Sequence, residues 1–529
     1  MPRTPWWRDA VVYEIYVRSF ADGNGDGVGD LPGIRSRLPY LAELGVDAIW
    51  LTPFYPSPQA DHGYDVADYR DVEPRFGTLT DFDRLLEDAH ALGLRVIIDI
   101  VPNHTSSAHR WFRAALASPP GSPERARYIF RPGRGRGGAQ PPNNWTSHFG
   151  GGAWTREPQG EWYLHLFDPG QPDLDWTNPE VGDEFESILR FWLDRGADGF
   201  RVDVANGLAK ADGLPDMRRG TASPHADQPA VHDVYRRWRK VLDSYDGDRM
   251  AVVEAWSRDA ELRSLYTRPD ELHQAFNFHF QVADWSAAAF RRVVDDGLTT
   301  TSTTGAAPTW VLSSHDQLRH VSRYGGGEVG LSRARAATLF MLALPGSGYL
   351  YQGEELGLPQ VEVAPEDRQD PAWARSGHTI VGRDGCRVPL PWTGSAPPYG
   401  FGSGTAPTWL PQPDDWAPLT VEAQTGHDGS TLERYRSALA IRREQLAGHD
   451  EPLEWLPTPI GTLSFARGRL VCTTNFTHRP RRVQIVGRAL ISSGDPVPDA
   501  TGTAVLPPAT TVWWLHGNDH SGRARRRAR

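Results

Sequence analysis

Gly199-Phe200-Arg201-Val202-Asp203-Val204-Ala205-Asn206 decides how the rest of the chain is read. Phe200, Val202 and Val204 alternate with Arg201 and Asp203, and this period-two pattern with β-branched residues predicts a strand. Its other face carries an arginine and an aspartate, which are seldom buried unless paired. Two readings stand at this point. One is a structural ion pair inside a barrel. The other is a carboxylate nucleophile, held ionised because a neighbouring guanidinium lowers its pKa.

The flanking sequence supplies the context. Strand candidates at 11–16, 46–51, 94–100, 199–205, 251–256, 273–278, 310–316 and 348–352 alternate with helical segments. Helices are expected over 31–44, over 81–92 with Thr80 as its cap, over 180–195 after Pro179, over 231–243 and over 431–446. Eight strand–helix units predict an α/β chain whose core is a (β/α)8 TIM barrel, with its active site at the C-terminal strand ends. From His104 to Asp175 the alternation breaks into Gly, Pro, Arg and Asn. A structureless run of that length is unusual inside a compact domain, so 104–175 is expected to be an inserted small domain after strand three. A second irregular stretch covers 210–230, and 361–418 is loop rich in Pro, Gly and Trp. The barrel is then 1–103 and 176–450. Short alternating strands over 451–517 predict a C-terminal antiparallel β-sandwich, and the arginine-rich end, 518–529, is expected to be a disordered basic tail.

Composition narrows the function. A chain of 529 residues is too long for one core. Its net charge of −10 argues against a nucleic-acid partner. Cys386 and Cys472 cannot make a disulfide framework or a zinc cluster. No secretory leader pattern and no apolar run of membrane-spanning length is present, so no membrane partner is expected and the expected location is cytoplasmic.

Polar residues collect at the strand ends. Strand three ends in Asp99 and leads to Asn103-His104; strand four carries Arg201 and Asp203, strand five Glu254, and strand seven His315-Asp316. Carboxylates from several strands, without a metal-binding histidine cluster, suit glycoside hydrolysis: one acid protonates the leaving oxygen, and one carboxylate attacks the anomeric carbon or activates water. In order and spacing these segments, Asp99-Ile-Val101-Pro-Asn103-His104, Gly199-Phe-Arg201-Val-Asp203, Val253-Glu254 and His315-Asp316, resemble the α-amylase family of glycoside hydrolases. The resemblance covers nearly the whole chain. It implies Asp203 as nucleophile, Glu254 as acid/base and Asp316 as the carboxylate that binds sugar hydroxyls and stabilises the transition state. It also implies that His104 and His315 contact hydroxyls of the reacting sugar and that Arg201 orients Asp203.

Finer matches point to a subgroup. Gln171-Pro172-Asp173-Leu174-Asp175-Trp176, Asp61-His62-Gly63-Tyr64-Asp65 and Gly382-Arg383-Asp384-Gly385-Cys386-Arg387 resemble motifs of α-glucosidases and oligo-1,6-glucosidases. They imply that Tyr64 stacks under the terminal glucose, and that Asp61 and Arg387 clamp its outer hydroxyls and close the pocket. The expected enzyme is a retaining, exo-acting α-glucosidase on small α-glucosides, as a monomer or homo-oligomer, with no organic cofactor. A glucosyl transferase or sucrose/trehalose isomerase on the same site is the alternative. Ser314 and Asp175 depart from the pattern, which has Asn at both places. Asp22, Asn24, Asp26 and Asp30 fall at positions one, three, five and nine of a calcium-loop pattern, with the Val28 carbonyl at seven. Gly33 stands at position twelve where a bidentate glutamate would be. The loop is therefore not an EF-hand, but an oxygen cage for a structural Ca2+ or Mg2+ is expected, as the subgroup resemblance also implies.

Overall fold

A computed structural model describes residues 4–257, 259–448, 451–499 and 501–517; the expected basic tail lies outside them. Eight parallel strands form one sheet: β1 (Val11–Ile15), β2 (Ala48–Leu51), β3 (Arg95–Ile100), β4 (Gly199–Val202), β5 (Met250–Val253), β6 (Gln274–Ala275), β7 (Thr309–Val311) and β8 (Ser347–Tyr351). Their order is β7-β8-β1-β2-β3-β4-β5-β6, that of a barrel opened between β6 and β7. At that seam the Thr309 hydroxyl donates to the Ala275 carbonyl at 2.5 Å. The strands are almost wholly buried, as their near-continuous apolar runs require of a sheet covered on both faces.

The helices follow the sequence with instructive exceptions. Thr431–Leu446 and Val231–Asp243 form as expected. The helix before β3 starts earlier than predicted, at Leu79, because Thr78 and not Thr80 is its cap: Thr78 Oγ1 accepts from the Asp81 N–H while Asp81 caps the Thr78 N–H in return. The single helix expected over 31–44 is two, Leu31–Ser36 and Leu38–Leu44. Pro39 lacks the N–H that would continue the first into the second. Strand six shrinks to two residues, and a short helix, Phe278–Gln281, follows it.

The insertion builds an antiparallel sheet from 130–132, 161–164 and 154–156. Its own apolar core contains Ile129, Trp145, Trp154 and Leu166. That core also takes Leu214, from the irregular stretch after β4. Trp145 Nε1 donates to the Pro215 carbonyl at 2.9 Å. The C-terminal segment forms a five-stranded and a three-stranded antiparallel sheet. It packs on the barrel helix Gly327–Ala343: Trp513 Nε1 donates to the Leu339 carbonyl at 2.9 Å, and Phe465 meets Phe340 edge to face.

Candidate active site

Register brings the charged groups together. Asp99 on β3 lies beside Arg201 on β4. The ladder continues past the assigned strands: the Asp203 N–H donates to the Ile100 carbonyl and the Glu254 N–H to the Val202 carbonyl, each at 2.9 Å. Asp203 and Glu254 thus leave adjacent strands at their C-terminal ends, where barrel enzymes place their chemistry.

Arg201 is the hub. Its Nη1 donates to Asp99 Oδ1 at 3.0 Å and to Asp203 Oδ1 at 2.5 Å, and its Nη2 donates to Glu254 Oε2 at 2.6 Å. One cation serves three carboxylates. Sequence reasoning expected that cation to lower the pKa of Asp203. Its pull is present, but burial outweighs it, and the charges of Glu254 and Asp99 push the same way as burial, so Asp203 is held well above the usual carboxylate range. Burial likewise pushes Asp99 up to about 7 against the pull of Arg201.

Val204, directly after Asp203, has φ 46°. A β-branched residue in the left-handed region is strained, and such strain persists only where the surroundings impose it. This turn aims the Val204 N–H at Glu254 Oε2, 3.1 Å away.

A second set of charges gathers around Asp316. Arg383 reaches Asp61 Oδ1 at 2.7 Å, Asp316 Oδ1 at 2.9 Å and Asp370 Oδ2 at 2.6 Å. Arg387 donates to Asp316 Oδ1 at 2.9 Å and through Nε to the His315 carbonyl at 2.8 Å. The ion-pair partner of Asp61 is thus Arg383, and Arg387 holds Asp316. Both arginines lie in one loop, four residues apart, and spacing alone could not choose between them. Arg387 Nη1 is buried without a hydrogen-bond partner, a donor left over for a ligand. Although burial opposes it, the pull of His315, Arg383 and Arg387 holds Asp316 well below the usual carboxylate range. For Asp61, burial outweighs the arginines and pushes it up to about 6.

The two sets are joined. The Tyr64 hydroxyl is 3.1 Å from Asp99 Oδ2 and 2.8 Å from His315 Nε2, and the Tyr64 and His315 rings stack with centroids 5.4 Å apart. His315 Nδ1 meets Glu14 Oε1, a carboxylate buried on β1. Gln171 Nε2 lies 3.3 Å from Asp61 Oδ2 and 3.1 Å from His104 Nε2. Burial lowers His104 to about 4, which leaves it neutral. All nine residues expected to be catalytic or substrate-binding fall into this one network: Asp203, Glu254, Asp316, Asp61, Tyr64, His104, Arg201, His315 and Arg387.

Sequence reasoning missed Glu14, Arg383 and the Lys210–Asp173 pair at 2.9 Å beneath Asn103. Glu14 carried a signal, being an acid inside an apolar strand. Of the two departures, Asp175 accepts from the Thr177 N–H and hydroxyl in a turn. Ser314 Oγ accepts from Gln281 Nε2 at 2.9 Å, tying the segment after β6 to the segment after β7.

The loop at 22–30 stands apart from the pocket. Asp22 accepts from the N–H groups of Asn24, Gly25 and Gly27, and Asp30 from those of Gly23, Asn24 and Gly33. Asn24 and Asp26 accept from the N–H groups of Asp26 and Val28. Among the described residues none of these three aspartates has an ion-pair partner, and burial pushes Asp30 up to about 6. No three His, Cys, Asp or Glu side chains of the described residues are placed to hold a metal by themselves.

Paired carboxylates at the mouth of a (β/α)8 barrel define a glycoside hydrolase. The comparisons specify which kind. The description "Alpha amylase, catalytic domain" matches residues 14–449, and the chain belongs to that family. It is 39% identical over 497 residues to a probable alpha-glucosidase of Rhizobium meliloti, covering 88% of each chain. It is 37% identical over 480 residues to an oligo-1,6-glucosidase of Parageobacillus thermoglucosidasius, covering 83% of this chain and 84% of the other. A solved alpha-glucosyl transfer enzyme superposes with a TM-score of 0.88 at 40% identity, covering 97% of this chain and all of that one. No helix among the described residues is long and apolar enough to cross a membrane.

Proposed function

We propose that the protein is a retaining, exo-acting α-glucosidase that removes terminal α-linked glucose from small α-glucosides by double displacement. The observation that carries this reading is the sharing of Arg201 between Asp203 and Glu254 at adjacent strand ends. Double displacement begins with one carboxylate ionised as nucleophile and the other protonated as acid. Two carboxyls that leave adjacent strand ends beside one guanidinium can take these two roles. Asp203 attacks the anomeric carbon, Glu254 protonates the departing oxygen, and Glu254 then activates water to release the glucosyl group from Asp203. Asp316 stays ionised between its two arginines, where it holds sugar hydroxyls and stabilises the oxocarbenium-like transition state. The Asp61–Arg383 pair closes the far end, which supports release of one glucose at a time. Tyr64, His104, His315 and the free Nη1 of Arg387 surround the ring that is cleaved.

The test is product analysis on maltose, isomaltose, sucrose, trehalose and 4-nitrophenyl α-glucoside, with NMR of the anomer formed first. α-Glucose as first product supports the reading; β-glucose overturns the retaining mechanism. The 40% identity to an alpha-glucosyl transfer enzyme favours one second reading, transfer to a sugar or alcohol in place of water. New glucosides outnumbering free glucose in the same tubes would establish it.

The 22–30 loop is proposed to take Ca2+ or Mg2+ through Asp22, Asn24, Asp26, the Val28 carbonyl and Asp30. The acids lack a cationic partner but are not placed to hold an ion by themselves, so the Asn24 side chain and the Val28 carbonyl would have to complete the set; the ion's contribution would be to the stability of the loop. Thermal melting with and without a chelator tests this. A melting temperature unmoved by either chelator or added calcium counts against it.

A further inference from the structure

Glu14 is an acid in the apolar strand β1, and it is buried. A carboxyl in such a place is costly unless its polar atoms are engaged. Among the described residues its side chain bonds to one partner, His315, which comes 301 residues later. One oxygen, Glu14 Oε1, takes both the His315 backbone N–H at 3.3 Å and the ring Nδ1. An oxygen that accepts the backbone N–H stands as an acceptor for the ring as well, so Nδ1 carries a proton. The other ring nitrogen then faces the sugar pocket: Nε2 is 2.8 Å from the Tyr64 hydroxyl and 3.3 Å from Asp316 Oδ2.

Packing alone does not choose this arrangement. The Tyr16 and Tyr64 rings lie nearly parallel to the imidazole, at 20° and 13°, with centroids 5.6 and 5.4 Å away, and Trp50 meets it edge to face. These rings confine its plane. A half-turn about Cβ–Cγ keeps that plane and shape but puts carbons where the nitrogens were. The Tyr64 hydroxyl has a second partner in Asp99 at 3.1 Å and can do without the ring. Glu14 Oε1 would lose the ring nitrogen it holds. Burial and the charge of Asp316 push Glu14 well above the usual carboxylate range, against the pull of Arg201, with Asp99 adding to the rise. A neutral carboxyl still offers a carbonyl-type oxygen to Nδ1, as a carboxamide does.

We propose that Glu14 is a positioning residue for the reaction: by holding Nδ1 it fixes which edge of His315 meets the sugar and keeps Nε2 beside Asp316 and Tyr64. This rests on the α-glucosidase reading. The test compares Glu14→Leu and Glu14→Gln on 4-nitrophenyl α-glucoside, and repeats Glu14→Leu in a His315→Ala background. Glutamine keeps an acceptor for Nδ1 and leucine does not. Glu14→Leu is expected to lower kcat about 30-fold, as losing the outer partner of a working histidine does, with KM changed less than about threefold because contacts to the sugar tighten in the transition state. Glu14→Gln is expected to stay within about threefold of wild type, and Glu14→Leu to cost less than about threefold more once His315 is gone, since a residue that acts through another then has nothing to act on. Circular dichroism and melting temperature check that each variant folds, and Glu14→Met, judged by the same outcomes, replaces the leucine variant if that one does not. An unchanged kcat in Glu14→Leu, an equal loss in Glu14→Gln, or full additivity with His315→Ala overturns the inference and leaves the α-glucosidase reading standing. A wild type that releases no 4-nitrophenol overturns both.

Discussion

Arg201 and the Arg383–Arg387 pair solve similar problems with different arithmetic. Arg201, on a strand, faces Asp99, Asp203 and Glu254 alone. Arg383 and Arg387, on a loop, together face Asp61, Asp316 and Asp370. With one cation to three acids, burial prevails and Asp203 and Asp99 rise. With two cations to three acids, Asp316 and Asp370 fall below the ordinary range, while burial still pushes Asp61 up to about 6. The same residue types therefore yield raised acids around Arg201 and, in Asp316 and Asp370, lowered acids on the other side. The balance between burial and the guanidinium groups around each acid sets its direction, because the desolvation cost is borne in both clusters.

The sharpest break in this contrast comes from the Arg201 cluster. Asp203→Ala is expected to lower kcat for glucose release by roughly 10⁴-fold or more, as loss of a nucleophile does. Glu254→Gln is expected to cost about 10²–10⁴-fold on a sugar leaving group, the usual contribution of general acid catalysis. The loss should be far smaller on α-glucosyl fluoride, whose leaving group needs little protonation; equal losses on both substrates would remove Glu254 from the acid role. Arg383→Ala leaves Asp61 and Asp370 without their ion-pair partner. It is expected to raise KM more than it lowers kcat and to cost about 2–5 kcal/mol of binding, as truncating one member of a desolvated pair does. A kcat effect alone would place Arg383 with the chemistry and erase the distinction between the two clusters.

The smallest effect is on stability against pH. Folded Asp99 holds its proton more tightly than the unfolded chain, with its pKa at about 7. Its contribution is complete below pH about 4. It is lost as the pH rises through about 7. Asp99→Asn should remove that part of the slope in melting temperature between these limits. A slope identical to wild type would show that burial does not govern the Arg201 cluster.

Much of this was legible before any coordinates. Alternation around Arg201 and Asp203, repeated strand–helix units and acids at strand ends are local patterns, and local patterns survive folding when the fold is built on them. What escaped depends on distance in space. Thr78 and Thr80 are both good caps, and only the return bond from Asp81 selects between them. The claim of Arg383 on Asp61 spans 322 residues and carries no periodicity. Whether a buried acid is raised or lowered is a property of its neighbours' total charge, so Asp203 could not be assigned from Arg201 alone. Leu214 joined the inserted core from a stretch that reads only as irregular.

The strained turn at Val204 has a consequence for the order in which the protein becomes itself. Its amide is aimed at Glu254, about fifty residues later in the chain. While the polypeptide is still emerging from the ribosome, the first four strands can meet, but the partner that holds this turn has not yet been made. Arg201 would then have only Asp99 and Asp203 for company, and the pocket's other pole, Asp316 with its two arginines, would be missing entirely. A half-barrel of this chain is thus an unfinished circuit: the turn at Val204 meets the partner that holds it only when the later half closes on it.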